Sequence, residues 1–281
     1  MYISEETKYY QNWFLGYKSS LQYYVIPAMC FSWLRVKYSR KWIEFYFTFV
    51  LCIFESFLVD NAMLIVGSLL MAFLAVFNFV NLTNLFNIRN YIVAILAGNV
   101  VLVFFNTWFV NTPIGSKLLY VLGKGTTLTW RASVIWPNSL RAISENIVFG
   151  NGVLSLDARR SMYRNVAGAI HAHNQLLEIL FIGGIVLFVA YALFHVWIYT
   201  SLSKFKELET SKILAASIFV IYIMVTVEVF LREVASPLWL VLVLAAYSNK
   251  LDIQFKQIYG KVLNGKNFYI KNFKVLKRKA K

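Results

Sequence analysis

Long apolar blocks separated by short polar segments dominate the chain. Seven such blocks can be delimited, at 21–36, 42–59, 62–80, 91–110, 176–200, 213–231 and 235–247. A helix that spans a membrane needs about 20 predominantly apolar residues. The five middle blocks satisfy this requirement, whereas the first and the last are short enough to be shallow or re-entrant. The pattern predicts an all-α polytopic membrane protein with about seven transmembrane helices and one long extracytoplasmic loop between spans four and five.

Composition supports the membrane interpretation. Of the 281 residues, 59% are hydrophobic and 15% are charged, and the mean hydropathy is +0.60. Soluble chains are roughly 45–50% apolar and about 25% charged. These values exclude a disordered or nucleic-acid-binding chain despite the net charge of +15. Cys30 and Cys52 lie inside apolar blocks, so they predict packing rather than a disulfide framework or a zinc site.

The distribution of basic residues predicts the orientation. Most of the 28 lysines and arginines fall in the loops after the first, third and fifth blocks and in the C-terminal tail. Because cytoplasmic loops carry the excess of Lys and Arg, this face should be cytoplasmic. The predicted units are spans one to four (1–110), an extracytoplasmic basic loop (111–175), spans five to seven (176–249) and a basic cytoplasmic tail (250–281). We expect the tail to lie on anionic inner-leaflet lipid, and we expect no cleavable signal peptide.

The extracytoplasmic loop is unusually basic for its side of the membrane. It has seven basic residues and two acidic residues. Arginine binds phosphate well through paired hydrogen bonds, so the loop predicts an anionic, membrane-borne substrate. Contact with lipid headgroups and a solvated face is the alternative. The candidate phosphate ligands are Arg131, Arg141, Arg159, Arg160 and Arg164.

The segment 126–146 has a helical pattern with Pro137 inside it, where a kink or a new helix start is expected. A continuous helix would place four polar side chains on one face: Arg131, Asn138, Arg141 and Glu145. Arg141 and Glu145 could equally form an ordinary i,i+4 ion pair. Gly150-Asn151-Gly152 then predicts a break in the chain.

The run His171-Ala172-His173-Asn174 is the most specific local feature. Histidine titrates near neutral pH and can act as a general base. Asn174 can cap the next helix and would hold His173 about one turn from Glu178. A metal site needs three or four ligands, and the predicted outer face has no cysteine, so we expect neither a metal nor another cofactor. Two interfacial histidines that merely end a helix are the alternative, and His195 is predicted to pack between helices.

Acidic residues near the predicted spans are a further set of candidates. Glu55 and Glu178 should lie toward the outer side, where they could orient an arginine or a histidine. Glu228 has Arg232 four positions later, which predicts an ordinary ion pair.

Several motifs occur in a characteristic order. Gly16 to Ser20 precedes Pro27, and Thr129-Trp130-Arg131 leads to Ile135-Trp136. These are followed by Phe149-Gly150-Asn151-Gly152, by His171 to Glu178 and by Gly183-Gly184-Ile185. Over about residues 16–247, this series resembles the C-terminal half of the O-antigen ligase and polysaccharide repeat-unit polymerase family.

The resemblance implies a metal-independent glycosyltransferase of the bacterial cytoplasmic membrane. Family members move an oligosaccharide from undecaprenyl pyrophosphate onto a sugar hydroxyl at the outer face. By motif, Arg131 matches an arginine that holds the pyrophosphate, and His173 matches the proposed base. Two features depart from the family pattern: the chain has fewer than the usual ten or more spans, and residues 55–61 lack the family's second arginine.

The expected function is therefore polymerisation of lipid-linked repeat units into a capsule, an exopolysaccharide or an O-antigen. Ligase-type transfer to another acceptor, a non-catalytic fragment that needs a missing N-terminal half, and a transporter of lipid-linked sugars are the alternatives. A transporter predicts broken spans, and the sequence shows none. The expected partners are the lipid-linked donor, a glycan acceptor, membrane lipids and other export proteins. We expect His173 to be catalytic and the substrate to be bound by Arg131, Arg141, Arg159, Arg160, Arg164, His171, Asn174 and Glu178.

Overall fold

A computed structural model describes residues 2–3, 11–13, 16–17, 20–77, 99, 103, 112–121, 130–164, 166, 169–226, 228–229 and 236–259. These residues are predominantly helical, in agreement with the predicted class. The helices are α1 (Gln22–Ser39), α2 (Trp42–Leu58), α3 (Ala62–Val76), α4 (Pro113–Val121), α5 (Trp136–Glu145), α6 (Leu156–Met162), α7 (Gln175–Lys204), α8 (Glu209–Val225) and α9 (Leu238–Ala246). A π-helical turn, Arg131–Ile135, leads directly into α5.

A small antiparallel sheet at the N-terminus departs from an all-α chain. It consists of β1 (Tyr2–Ile3), β2 (Gln11–Trp13) and β3 (Gly16–Tyr17), in the order β1-β2-β3. Tyr2 is opposite Asn12, and Trp13 is opposite Gly16. The sheet lies before the first apolar block, in a segment rich in aromatic residues, which favour strands.

The first three helices follow the apolar blocks closely. Helix α1 continues through Pro27 and ends where Arg40 adopts a left-handed conformation. Helix α3 starts at Ala62 because the side chain of Asn61 accepts hydrogen bonds from the amides of Met63 and Leu64. Of the predicted fourth span at 91–110, only residues 99 and 103 belong to the described part of the chain.

The predicted extracytoplasmic loop contains helices of its own. Helix α4, the π-helical turn, α5 and α6 all lie between residues 113 and 162. The predicted break at Gly150 to Gly152 is confirmed: the chain turns after α5, and both glycines have positive φ. The loop is thus an ordered helical layer over the described part of 111–175.

Helix α7 is, within the described ranges, the one helix long and apolar enough to cross a membrane. Only 28% of its most apolar window is buried, and the rest is partly or fully exposed. Exposed apolar side chains also cover α2, including Ile43, Phe47 and Val50. Large exposed apolar surfaces of this kind mark sites of interaction with other proteins or with a membrane, which supports membrane association.

Helix α7 is interrupted, which the sequence analysis did not predict. Gly184 has φ 58° and ψ −156° inside the helix. The helical parts 175–183 and 185–204 therefore meet at a break in the N-terminal third of the helix. The statement that no span is broken was wrong at this position.

The main core lies among six helices. Helix α1 packs against α2, α3, α8 and α9, while α7 packs against α8 and α9. Its fully buried side chains include Ile26, Met29 and Trp33. Cys30 and Cys52 are buried in this core as free thiols, as predicted. His195 also packs as predicted, with its ring against Tyr191, Phe194 and Tyr222.

A second, smaller core lies beneath α5. It consists of apolar side chains from the π-helical turn, α5, the end of α6 and the beginning of α7. Trp136, Tyr163 and Phe181 are its largest fully buried side chains. This core supports the candidate site.

The C-terminal tail begins as part of the bundle. Residues 248–259 are helical. Phe255 stacks on Tyr38 with ring centroids 4.9 Å apart, and the Tyr38 hydroxyl donates a hydrogen bond to the buried Asp252. The start of the tail thus packs on the bundle through Phe255 and Asp252, while Ile253 and Ile258 are exposed. Contact of the tail with lipid stays a prediction, and residues 260–281 lie outside the described part.

Candidate functional site

Four ionisable side chains from three distant parts of the chain converge beside the start of α7. The Nη2 atom of Arg131 lies 3.3 Å from Nδ1 of His173 and 3.5 Å from Oε2 of Glu228. His173 Nδ1 lies 3.0 Å from Glu228 Oε1, and His171 Nε2 lies 3.5 Å from the same oxygen. We call Arg131, His171, His173 and Glu228 the histidine–carboxylate cluster.

The cluster is partly shielded from solvent. The side chains of Arg131, His173 and Glu228 are 14%, 17% and 18% exposed. Each can therefore reach a ligand, yet interacts with its neighbours in a reduced dielectric.

The charged groups of the cluster shift one another's pKa values. Burial acts to raise the pKa of Glu228, but His173, His171 and Arg131 outweigh burial and hold this pKa well below its ordinary range. Burial lowers the pKa of Arg131, and the charge of Glu228 opposes that effect. Glu228 lies beyond the end of α8, and it is ionised at neutral pH. The carboxylate therefore balances the positive charge of Arg131.

A clamp on Ala172 fixes the backbone between the two histidines. The Ala172 amide donates to Glu178 Oε2 at 2.8 Å, and the Trp136 indole donates to the Ala172 carbonyl at 2.9 Å. Ala172 is fully buried. His171 and His173 flank this fixed residue, with ring centroids 4.1 Å apart. The loop geometry is thus set by the small core beneath it.

His173 has an unusual backbone conformation. Its φ is 49°, and a non-glycine residue in this region costs about 1–2 kcal/mol. The His173 amide donates to His171 Nδ1 at 3.2 Å. Strain of this kind persists where surrounding contacts over-determine it, and it is enriched at functional sites.

Glu178 pairs with Arg159 rather than with a histidine. Arg159 donates to both carboxylate oxygens at 3.0 and 3.4 Å, and its guanidinium lies 3.7 Å from the centre of the Phe181 ring. Both residues are buried, at 4% and 1% exposure. We expected both residues to bind substrate, and Glu178 to lie where it could orient an arginine or a histidine. The structure pairs Glu178 with an arginine, as that second expectation allowed, but buries both side chains in the small core, away from any substrate at the surface. Arg159 thus holds the Glu178 carboxylate in position to accept the hydrogen bond from the Ala172 amide.

Asn174 caps α7 as predicted. Its Oδ1 accepts from the Leu177 amide at 3.1 Å. The same side chain donates through Nδ2 to Asn99 Oδ1 and to the Thr226 carbonyl. Asn174 is fully buried, so its position corresponds to a structural link between α7 and the end of α8 rather than to the expected contact with substrate.

The remaining predicted arginines lie apart from the cluster. Arg141 is exposed and donates to Asn138 Oδ1 at 3.4 Å. Arg160 is exposed, 3.7 Å from Asp157, and Arg164 is exposed with φ 52°. In the described residues, no contact joins these three arginines to Arg131.

The predicted polar stripe is divided by the π-helical turn. The Trp136 amide bonds back to the Arg131 carbonyl, five residues earlier. This wider turn changes the angular spacing between Arg131 and the residues of α5. Asn138 instead faces α6, where it donates to the Met162 carbonyl at 3.0 Å. Within the described ranges, no ion pair joins Arg141 to Glu145.

Glu228 belongs to the candidate site, whereas the sequence analysis assigned it only to an ordinary ion pair. We predicted a pair with Arg232, a residue outside the described part. The structure brings Glu228 to histidines 55 or more positions earlier and to Arg131, 97 positions earlier. An acidic residue inside an apolar block was the available signal.

His171, His173 and Glu228 have the spacing of a possible metal site, with donor atoms within 4.8 Å of one another. The same contacts are explained by hydrogen bonds, because imidazole N–H groups can donate to the carboxylate. The guanidinium of Arg131 already contacts both His173 and Glu228, and a divalent ion at this position would meet its repulsion. The donor set therefore fits a hydrogen-bonded cluster with Arg131 as its cation.

Comparison with known proteins identifies no relative. No family model, curated protein or solved structure matches this chain.

Proposed function

We propose that the chain is a membrane glycosyltransferase that polymerises undecaprenyl-pyrophosphate-linked oligosaccharide repeat units into a surface polysaccharide. The contact between Arg131 and His173 carries the proposal. The two residues are 42 positions apart in sequence, and their side chains lie within 3.3 Å. A cationic group beside a potential base suits a reaction in which a hydroxyl attacks and a diphosphate leaves.

The proposed reaction breaks one bond and forms one. The acceptor hydroxyl oxygen attacks the anomeric carbon of the donor sugar, and the bond from that carbon to the diphosphate oxygen breaks. His173 accepts the hydroxyl proton, a contribution of about 10²–10⁴ in rate for general-base catalysis. The diphosphate leaves with the bonding electron pair, and Arg131 stabilises its charge.

In this proposal Arg131 binds the diphosphate leaving group. It is 14% exposed, and its 3.5 Å contact with Glu228 is long for a charged hydrogen bond. The guanidinium can therefore exchange one weak contact for paired contacts with a diphosphate. Arg141, Arg160 and Arg164 are available at the surface for lipid headgroups or for the remaining diphosphate charge.

The proposed setting is the bacterial cytoplasmic membrane, crossed about seven times, with the cluster at the outer face. The apolar surfaces of α2 and α7 support this arrangement. So does the concentration of Lys and Arg on the side predicted to be cytoplasmic. The lipid-linked donor, the glycan acceptor and other export proteins are the proposed partners.

The break in α7 is a feature that a transporter of lipid-linked sugars would share. In transporters, broken helices present polar groups to a substrate near the middle of the membrane. Here the loop 147–152 fills the break with backbone hydrogen bonds, and the ionisable cluster lies at the N-terminal end of the helix. This arrangement favours the glycosyltransferase.

Complementation tests the proposal. The 281-residue chain is expressed in a strain deleted for its own copy, and surface polysaccharide is separated on a gel. We expect the wild-type chain to restore the polymer ladder, and His173→Ala and Arg131→Ala to abolish it at equal protein levels in the membrane. Lys117→Ala is the control, because Lys117 is an exposed cation of the same basic loop that lies outside the cluster.

Each outcome has a definite meaning. A normal ladder in His173→Ala would overturn the proposed mechanism. A single added repeat unit on another acceptor would indicate a ligase rather than a polymerase. A stably inserted wild-type chain that restores no product would indicate a fragment that requires further spans, and would overturn the proposal for the chain by itself.

A further inference from the structure

We infer that Glu228 is a positioning residue, which holds His173 in the tautomer with the proton on Nδ1 and thereby leaves Nε2 as the proton acceptor. The catalytic part of this inference rests on the proposed function. The tautomer part does not, because it follows from the contacts of the cluster alone and can be measured without any substrate.

The Glu228 carboxylate is the acceptor at the centre of the cluster. Its Oε1 lies 3.0 Å from His173 Nδ1 and 3.5 Å from His171 Nε2, and it accepts from the Val229 amide at 3.2 Å. Its Oε2 lies 3.2 Å from His173 Nδ1 and 3.5 Å from Arg131 Nη2. An ionised carboxylate can only accept hydrogen bonds. His173 Nδ1 faces both oxygens, so it must carry the proton that they share.

Arg131 has the opposite limitation. A guanidinium can only donate, and its Nη2 lies 3.3 Å from the same Nδ1. The imidazole nitrogen cannot donate to Glu228 and accept from Arg131 at once. The shorter contact and the two carboxylate oxygens favour donation to Glu228, and Arg131 then contributes charge rather than a hydrogen bond to His173.

The tautomer of His171 follows from the same donor and acceptor argument. Its Nδ1 accepts from the His173 amide at 3.2 Å, so its proton lies on Nε2 in the neutral ring. That N–H points toward Glu228 Oε1. One carboxylate therefore fixes both imidazoles, in opposite tautomers.

The consequence for chemistry is a defined acceptor atom. A neutral imidazole has one protonated and one bare nitrogen, and the bond made by the first decides which nitrogen is basic. With Nδ1–H held by Glu228, the bare atom is Nε2. A carboxylate that orients an imidazole and stabilises the imidazolium formed after proton transfer is the third partner in nucleophile–base arrangements on unrelated folds.

Two variants of Glu228 separate this role from simple support of the fold. In Glu228→Ala the carboxylate is gone, and Arg131 Nη2 becomes the nearest partner of His173 Nδ1. Since Arg131 donates, Nδ1 must then accept, and the proton moves to Nε2. In Glu228→Gln the Val229 amide favours the amide oxygen at the Oε1 position, so an acceptor for the His173 Nδ1 proton remains.

The experiment is nitrogen NMR of the full-length protein labelled with ¹⁵N-histidine in lipid bilayers, with the pH raised until the ring signals no longer change. The chain has three histidines, and the His173 signals are identified by their loss in His173→Ala. We expect a protonated, pyrrole-type Nδ1 and a bare, pyridine-type Nε2 in the wild type. The same pattern is expected in Glu228→Gln and the reverse in Glu228→Ala. A bare Nδ1 in the wild type, or an unchanged pattern in Glu228→Ala, would overturn the inference.

Polymer formation by the same variants provides the second readout. The rate of polymer formation by Glu228→Ala should fall about 10²–10⁴-fold, as expected when the general base is disabled. Glu228→Gln should retain more of this activity than Glu228→Ala. Equal activity of Glu228→Ala and wild type would overturn the catalytic part. If His173→Ala makes normal polymer while the tautomers follow the predicted pattern, the proposed function fails and the assignment of the tautomer stands.

Discussion

Gly150 and Gly184 lie in direct backbone contact, although one is in the loop after α5 and the other is inside α7. A Cβ atom built on Gly150 would lie 2.6 Å from the amide nitrogen of Gly184. Both residues have positive φ, 70° and 58°. The contact is closed by hydrogen bonds from the Asn151 and Gly152 amides to the carbonyls of Phe181 and Ile182. The loop thus provides hydrogen-bond partners for backbone groups that the break in the helix would otherwise leave without them.

This contact predicts that Gly150→Ala is more destabilising than Gly152→Ala. Both substitutions place a side chain at positive φ, which costs about 1–2 kcal/mol. Only the Cβ at position 150 overlaps another backbone, whereas nothing lies within 4 Å of a Cβ at position 152. Overpacking adds about 1–3 kcal/mol. Thermal unfolding of the two purified variants in the same detergent measures the difference, and equal melting temperatures would contradict the close approach.

The buried pair of Arg159 and Glu178 predicts a second difference in stability. Glu178→Gln keeps the size of the side chain but leaves the Arg159 charge buried without its partner. Breaking such a pair costs about 3–5 kcal/mol. Asp157→Asn is the matched control, because it removes the exposed partner of Arg160 in the same helix, where an ion pair contributes about 0–1 kcal/mol.

A double variant tests whether the unpaired charge is the cause. In Arg159→Met with Glu178→Gln, the buried charge is absent, and replacing a whole buried pair is often neutral. We expect this protein to recover most of the melting temperature lost in Glu178→Gln. A double variant as unstable as the single one would show that the Glu178 carboxylate acts mainly through its bond with the Ala172 amide.

Features set by neighbouring residues could be predicted from the sequence. The apolar blocks at 42–59 and 62–80 correspond to helices that begin at Trp42 and Ala62. The cap at Asn174 and the break at Gly150 were also predicted correctly. Each depends on side chains within a few positions, because capping, hydrophobic periodicity and positive φ are local properties.

Features that depend on distant contacts could not be predicted in this way. Arg159 and Arg160 are neighbours in sequence, yet one is buried against Glu178 and the other is exposed. Charge alone does not distinguish them, because the difference arises from which face of the short helix α6 meets the small core. Glu228 is similar: Arg232 satisfied the local spacing rule, while the observed partners come from the loop before α7 and the turn before α5.

The orientation of α7 gives the last prediction, and cysteine accessibility in cells tests it. Ser144 lies on α5, in the region assigned to the outer face, and Ser203 lies near the basic end of α7; both are exposed. Cys30 and Cys52 are first replaced by alanine so that each new cysteine is the only one. We expect Ser144→Cys to react with a membrane-impermeant maleimide in intact cells and Ser203→Cys to react only after permeabilisation. The reason is that the Lys-rich segment after α7 should remain in the cytoplasm. Reaction of both cysteines in intact cells would contradict a membrane-spanning α7, and the reverse pattern would place the histidine–carboxylate cluster on the cytoplasmic side, where the proposed donor sugar is not presented.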